Sequence, residues 1–500
     1  MKKERIQTLC FTLGIAFCFL AICSRSSFLY PFNNWDDSNS YFSMGKLMMN
    51  GGVIYRDLFD QKGPLLYFIY GIGYLLSHNT FYGVFVLEIL SFTLFLVAEY
   101  MIARLYLSHR IALCLLPLTA LAVTVSKSFY WGGSAEEFSL PFLAWGLWAS
   151  LRYFKKEYPN LISWKQILFF GILAGCIMLI KYTLLGFYFA WMGMIALANL
   201  NRQNWKGSLR SCLLFLAGMA LPVIPWFVYF LMHGALDEWY QAYIYCNVFL
   251  YSDLYEGGIY VGEKIYILAK IMYWLIWDNL VFFIPIIVGF FYFLVSKHEK
   301  WYEKINLYML FGFLFLGIYI GGTTLYYYSL PLSIFSIFGF ICIGKLLAWF
   351  SQQFFVEKVS RFLKIGATVG FVAVLGLSWH LSMNTEFMKQ KKEDFFLYEF
   401  RDIVLREENP TLLNIGCLDA GLYTLADIVP TCRYFQSNAV HGFDEVWEEQ
   451  LRYIEEGQTE FVLARNDYPK EIFQKYGLVS EKKYRIGDEE FTYYLFQKSK

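Results

Sequence analysis

Two adjacent carboxylates, Asp36 and Asp37, stand in the run Asn33-Asn34-Trp35-Asp36-Asp37-Ser38-Asn39-Ser40-Tyr41. Further on, Tyr55-Arg56-Asp57-Leu58-Phe59-Asp60-Gln61-Lys62-Gly63-Pro64 adds two more acids and two cations. Neighbouring carboxylates in a poorly solvated place repel each other, so one holds its proton more tightly and can act as a general base toward a hydroxyl. The same oxygens suit a hard divalent cation, and a solvated loop that merely caps helices would also carry acids. A second acidic pair, Glu136 and Glu137, lies in Trp131-Gly132-Gly133-Ser134-Ala135-Glu136-Glu137-Phe138, where capping of a helix start is the plain alternative. Lys181 falls between two apolar runs with no acid close in sequence, so it either snorkels or meets an anion such as a lipid phosphate. Tyr326-Tyr327-Tyr328 fits an interfacial aromatic belt. Ten cysteines form no CxxC pair and no zinc spacing, and the sequence leaves open whether Cys417 and Cys432 pair. No structural metal is expected.

The elements that must hold these groups are membrane helices. The 500 residues are 57% hydrophobic and 21% aromatic but only 17% charged, which excludes an ordinary soluble globule and a disordered chain. Lys plus Arg (42) nearly cancels Asp plus Glu (41), against a nucleic-acid binder. Apolar stretches are read at Leu9–Ile22, Phe81–Ala103, Ile111–Val125, Phe138–Leu151, Ile167–Ile180, Tyr182–Leu200, Leu209–Met232, Ile271–Val295, Ile305–Ile320, Leu325–Leu347 and Ile365–Leu381. The first is taken as an uncleaved helix, because Ile22 before Cys23 fits a lipoprotein cleavage box poorly and no A-x-A site follows. With the N-terminus inside, the inner loops carry Arg104/Arg110, Arg152/Lys155/Lys156, Arg202/Lys206/Arg210, Lys297/Lys300/Lys304 and Lys358/Arg361/Lys364, as the positive-inside rule requires. About eleven spans result, with the C-terminus outside.

Three outer segments exceed simple connectors: Ser24–Gly63, Lys127–Glu137 and His233–Glu263. The first runs on into Pro64–Leu76, too short to span and expected in the interface. From residue 384 the composition changes: 15 Lys/Arg against 22 Asp/Glu, compared with 27 and 19 before it. Residues 384–500 therefore read as a small soluble α/β domain, with strands at Thr411–Ile415, Phe461–Ala464 and Phe491–Phe496 and a helix over Asp444–Ile454. Residues 1–383 form the membrane domain, with the outer loop 24–63 as its candidate catalytic segment.

All the candidate groups fall on the outer side, where no nucleotide is available. An activated sugar there must arrive through the bilayer, and a lipid-linked sugar phosphate does so. Here a resemblance enters. Asp37-x-x-x-Tyr41, Gly52-x-x-Tyr55-x-Asp57 and Asp60-x-Lys62-Gly63-Pro64-Leu65-Leu66-Tyr67 resemble the first outer loop of bacterial GT-C glycosyltransferases. These are polyprenyl-phosphate-sugar-dependent enzymes related to protein mannosyltransferases and aminoarabinose transferases. Glu136-Glu137-Phe138-x-Leu140-Pro141 is similar to their second-loop acidic motif, Lys181-Tyr182-Thr183 to the lysine at an outer helix end, and Tyr326-Tyr327-Tyr328-Ser329-Leu330-Pro331 to a late His-Tyr-Tyr-x-x-Pro motif with Tyr326 in place of His. The resemblance covers residues 1–380.

It implies Asp37 as base with Asp36 beside it, and Glu137 orienting acceptor or sugar. It implies Lys181, Arg56 and Lys62 on the donor phosphate, and Asp60, Glu136, Tyr55, Tyr326 and Tyr327 around the substrates. The implied donor is a polyprenyl-phosphate sugar. The implied acceptor is an envelope glycan, teichoic acid, lipid or protein, and the setting is a bacterial plasma membrane with its lipids as neighbours and no nucleic acid. No cofactor is obligatory, though Asp36/Asp37 leave room for a divalent cation. Two rival classes remain: a non-catalytic transporter or flippase of lipid-linked sugars, for which Glu88 and Glu99 are the intramembrane acids, and a membrane-anchored binding protein that works through its tail. For Glu99 the simpler expectation is a pair with Arg104.

Overall fold

The computed structural model describes residues 2–202, 204–250, 261–322, 324–354, 359–437, 444–486 and 489–499. The chain is mostly helical and closes with a small sheet. Each of the eleven apolar stretches contains helix. Among the described residues five helices are long and apolar enough to cross a membrane, or six if one bent pair counts as a single span. Lys358, counted among the inner basic residues, and residues 251–260 of the third outer segment lie outside the described residues.

Compactness divides the chain into two units. The first comprises residues 1–24, 88–225 and 259–385. Within it Lys2–Cys23 packs with His109–Thr124 and Val359–Leu381. Helices approach closely where they meet at glycine: Gly186 of Leu185–Leu200 lies against Gly317 of Trp301–Tyr319, and Gly289 of Leu280–Val295 against Gly339 of Ile337–Phe354. Such pairing gains dispersion contact that no larger residue permits.

Two expected spans are built differently. Ile271–Val295 is not one helix: Val261–Asp278 and Leu280–Val295 meet at Asn279 with a bend of 112°. The Asn279 side chain accounts for the break. Its Oδ1 accepts from the Ser128 backbone N–H (3.0 Å) and hydroxyl (2.8 Å), and its Nδ2 donates to Leu275 O and Ser329 Oγ, so it ties three segments together at a position with non-helical φ. Likewise, Leu325–Leu347 opens as a 3₁₀ helix over Tyr326–Phe335 before Ile337–Phe354 continues as α-helix. Pro331 in its middle lacks the N–H that an α-helix would use. The helices on either side of Lys181 part there: Trp164–Met178 ends, Lys181 is extended (φ −152°, ψ 101°), and a turn at Tyr182–Leu184 leads onward.

The second unit comprises residues 25–87, 226–258 and 386–500. Its sheet has strands β1 (Leu412–Ile415), β2 (Phe461–Arg465), β3 (Tyr476–Ile486) and β4 (Glu489–Lys498) in the order β1-β2-β4-β3. Only β1 and β2 run parallel. The expected strands match β1, β2 and β4, and β3 is additional. Its alternation carries Lys482, Lys483 and Arg485 rather than apolar residues, because it is an edge strand.

The first outer segment is not an open loop. It contains a helix, Asp36–Met49, packed along Pro64–Leu76. Gly45 makes that approach possible, since a Cβ there would lie 2.5 Å from Gly71 N and 2.8 Å from Tyr67 O. The facing rings of Tyr41, Tyr67 and Tyr70 fill the seam, with centroids 5.4–6.4 Å from Tyr41.

Candidate active site

In the second unit, the Asp36–Met49 helix turns a polar stripe toward the C-terminal segment. Asp36, Asn39, Ser40, Ser43 and Lys46 recur at helical spacing, and all but Asp36 are buried. Asp36 Oδ2 accepts from Arg465 Nη1 at 3.0 Å, across an ion pair whose side chains are 22% and 18% exposed. Ser43 Oγ donates to Asp419 Oδ2 (2.6 Å), and Ser40 Oγ donates to Gln436 Oε1 (2.5 Å). Thr424 Oγ1 donates to Asn39 Oδ1 (3.0 Å). Lys46 Nζ donates to Tyr423 O (2.8 Å) and pairs with Asp427 (3.0 Å).

Burial pushes the Asp36 carboxyl up against the lowering pull of Arg465, and the like charge of Asp37 adds to the rise. Burial likewise raises Asp419 to about 6 and lowers Lys46 to about 8. Asp37 sits half-buried in the first turn, within electrostatic reach of both Asp36 and Asp60.

Asp60 is fixed from Pro64–Leu76: Tyr67 Oη donates to its Oδ2 at 2.8 Å and accepts from the Lys62 N–H at 2.8 Å. Tyr55, buried and with φ +70°, donates through its hydroxyl to Lys62 O (2.6 Å) and stacks edge-on against Tyr67. Burial raises Asp60, while Lys62 and Tyr67 oppose the rise. Asp36, Asp37, Asp60, Lys62 and Tyr55 are thus brought together. Arg56 is engaged elsewhere, by the Asp57 carboxylate (2.7 Å) and His233 O (3.0 Å).

In the first unit, Lys181 Nζ pairs with Glu136 Oε1 and lies 3.3 Å from the centroid of Tyr328 and 5.8 Å from that of Tyr327. The two side chains are 10% and 1% exposed, so the lysine neither snorkels nor lacks an acid. Glu137 helps cap its own helix, Ala135–Arg152. Its N–H donates to Ser134 Oγ (3.0 Å), and its Oε2 accepts from Gly133 N–H (2.7 Å). It also meets Glu88, whose Oε1 accepts from Ser24 Oγ (2.8 Å). Gly132 (φ +84°) passes so close to Ser24 and Glu88 that no side chain fits there. Tyr326 stands apart, with Lys127 Nζ 4.1 Å from its ring centroid. Glu99 does not pair with Arg104. Arg104 donates to Leu107 O, and both Glu99 oxygens are buried with no hydrogen-bond partner among the described residues.

Among the described residues no group of three or more His, Cys, Asp or Glu side chains is arranged to hold a metal ion. Cys417 and Cys432 are buried, free thiols.

The profile of the dolichyl-phosphate-mannose-protein mannosyltransferase family matches residues 61–229. ArnT from Cupriavidus metallidurans bound to undecaprenyl phosphate superposes with a TM-score of 0.60 at 13% identity, covering 98% of this chain and 97% of that one. The apo form of the same protein gives 0.61 at 13% identity, over 99% and 98%. The chain resembles the GT-C glycosyltransferases that use polyprenyl-phosphate sugars. No curated protein sequence matches it.

Against the GT-C resemblance, several residues around the candidate groups carry no sequence signal of their own. Tyr328 shares the late tyrosine motif, but nothing in the run distinguishes it from Tyr326 or Tyr327. Glu88 lies in an apolar helix, and its contacts with Ser24 and Glu137 come from segments distant in sequence. Arg465 is a single basic residue at a strand end. Asp419 lies in Gly416-Cys417-Leu418-Asp419-Ala420-Gly421, too loose for a dinucleotide fingerprint; its work is to receive Ser43.

Proposed function

We propose that the protein is a membrane glycosyltransferase that moves a sugar from a polyprenyl-phosphate carrier to a hydroxyl of a cell-envelope acceptor, at the outer face of a bacterial plasma membrane. In this reading Asp37 takes the acceptor's hydroxyl proton. The acceptor oxygen then bonds to the anomeric carbon as the sugar–phosphate C–O bond breaks, and polyprenyl phosphate leaves with the electron pair. A single displacement of this kind inverts the anomeric centre. The candidates to neutralise the departing phosphate are Lys181, Arg56 and Lys62, since a fixed cation is worth most where the charge is developing. Asp60, Glu136, Glu137, Tyr55, Tyr326 and Tyr327 orient sugar and acceptor. No cofactor is required; the envelope glycan, teichoic acid, lipid or protein that accepts the sugar is the second substrate.

The observation that carries this reading is the first turn of the Asp36–Met49 helix, where Asp37 stands among Asp36, Asp60 and the Lys62 segment, in a chain whose fold is that of ArnT. A support comes from the first unit: the little-exposed Lys181 ammonium, with its ring and carboxylate partners, suits exchange of the carboxylate for a phosphate. The test is release of polyprenyl phosphate from a panel of polyprenyl-phosphate sugars by purified protein supplied with crude envelope acceptor. Release from one or more donors is expected.

One observation favours a transporter of lipid-linked sugars: Glu99, a fully buried carboxyl without a partner among the described residues, inside a helix of spanning length. Tight donor binding without release from any donor would select that reading.

A further inference from the structure

The C-terminal segment is built into the same unit as the candidate base, and one of its side chains reaches the Asp36–Asp37 pair. We propose that Arg465 is a positioning residue that holds Asp36 as a fixed charge partner and so assigns the proton-accepting role in the pair to Asp37. This rests on the reading of Asp37 as the base.

The geometry gives three reasons. Arg465 ends β2, and the strand pairing of Ala464 with Tyr494 and of Arg465 with Tyr493 fixes where its side chain starts. Its guanidinium lies 5.0 Å from the Phe491 centroid, on the strand that pairs Arg465 with Tyr493, so the fork is oriented before it meets Asp36. Finally, consecutive helical side chains diverge by about 100°. A guanidinium seated on Asp36 therefore lies off the direction of Asp37 and leaves the pair's two members with different work.

Two adjacent ionised carboxylates repel, and without a cation one of them would take a proton. The Arg465 ion pair opposes that penalty at Asp36, which also faces Asp37, Asp419, Cys417 and Tyr493. Deleting Arg465 leaves the pair to share a proton, which bridges the two carboxylates and keeps Asp37 from taking the acceptor's proton. Deleting the Asp36 charge as well removes the reason Arg465 is needed.

The experiment uses the full-length protein with whichever donor of the panel gives release, and reads kcat and KM separately. Arg465→Met is expected to lower kcat about tenfold or more while KM for the donor stays within about twofold. In the Asp36→Asn background the same change is expected to cost little, a coupling of about tenfold. Arg465→Lys, which keeps the charge but not the fork, is expected to fall between. If Arg465→Met does not fold, Arg465→Lys measured in both backgrounds carries the same comparison. Losses that multiply in the double variant, or wild-type kcat in Arg465→Met while Asp37→Asn is inactive, overturn this inference alone. Retained turnover in Asp37→Asn overturns the inference together with the reading it rests on.

Discussion

Buried charge at the second unit's polar seam has a sign that can be measured. Asp419 is raised to about 6 in the folded chain, above the ordinary carboxylate value near 4. Between those values the native state binds more protons than the unfolded state, so this group's contribution to stability falls as pH rises from about 4 to about 6 and is flat above. Asp419→Asn abolishes that slope. The difference in Tm between variant and natural protein should therefore grow in the variant's favour across that window; a constant difference would mean that Asp419 is not buried as described. Such residues were only half legible in the sequence. Asp36, Asp37, Asp60 and Lys62 announced themselves by crowding, and the structure gathers them. Lys46, Asp419 and Arg465 did not, because their partners lie hundreds of residues away and no local pattern marks them.

Among the elements, the Asp36–Met49 helix shows why hydrophobic periodicity failed. It is covered nearly all round, with Asn39, Ser40, Ser43 and Lys46 against polar partners and Tyr41, Phe42, Met44 and Leu47 also buried, so no apolar stripe stands out against a polar face, and the segment reads as loop. Periodicity also misjudged the stretch around Asn279, where hydropathy stays high through a bend that one side chain imposes. The approach of Asp36–Met49 to Pro64–Leu76 depends on Gly45. Gly45→Ala drives a methyl into the Gly71 backbone and is expected to cost about 1–3 kcal/mol, read as a fall in Tm with a parallel loss of turnover. Gly14→Ala, on Lys2–Cys23 with open space around it, serves as the control and should cause no loss. Equal behaviour of the two would refute the close packing.

At the scale of the whole molecule, composition led to a helical membrane protein with a small terminal sheet, and those features are present. The sequence did not reveal that residues 386–500 pack into one unit with residues 25–87, because composition separates the tail from everything before it. That grouping has a consequence. A chain ending at residue 385 loses the partners of Asp36, Ser43 and Lys46, and it should show no release of polyprenyl phosphate and rapid proteolysis within residues 36–63. Full activity in the shortened chain would reduce the tail to an appendage.

Glycosyl transfer with Asp37 as the base can be read from the release of polyprenyl phosphate by the natural protein and by Asp37→Asn under the same donor and acceptor. Asp37→Asn is expected to lower kcat about a hundredfold or more with donor binding retained. Equal release from both proteins would contradict it.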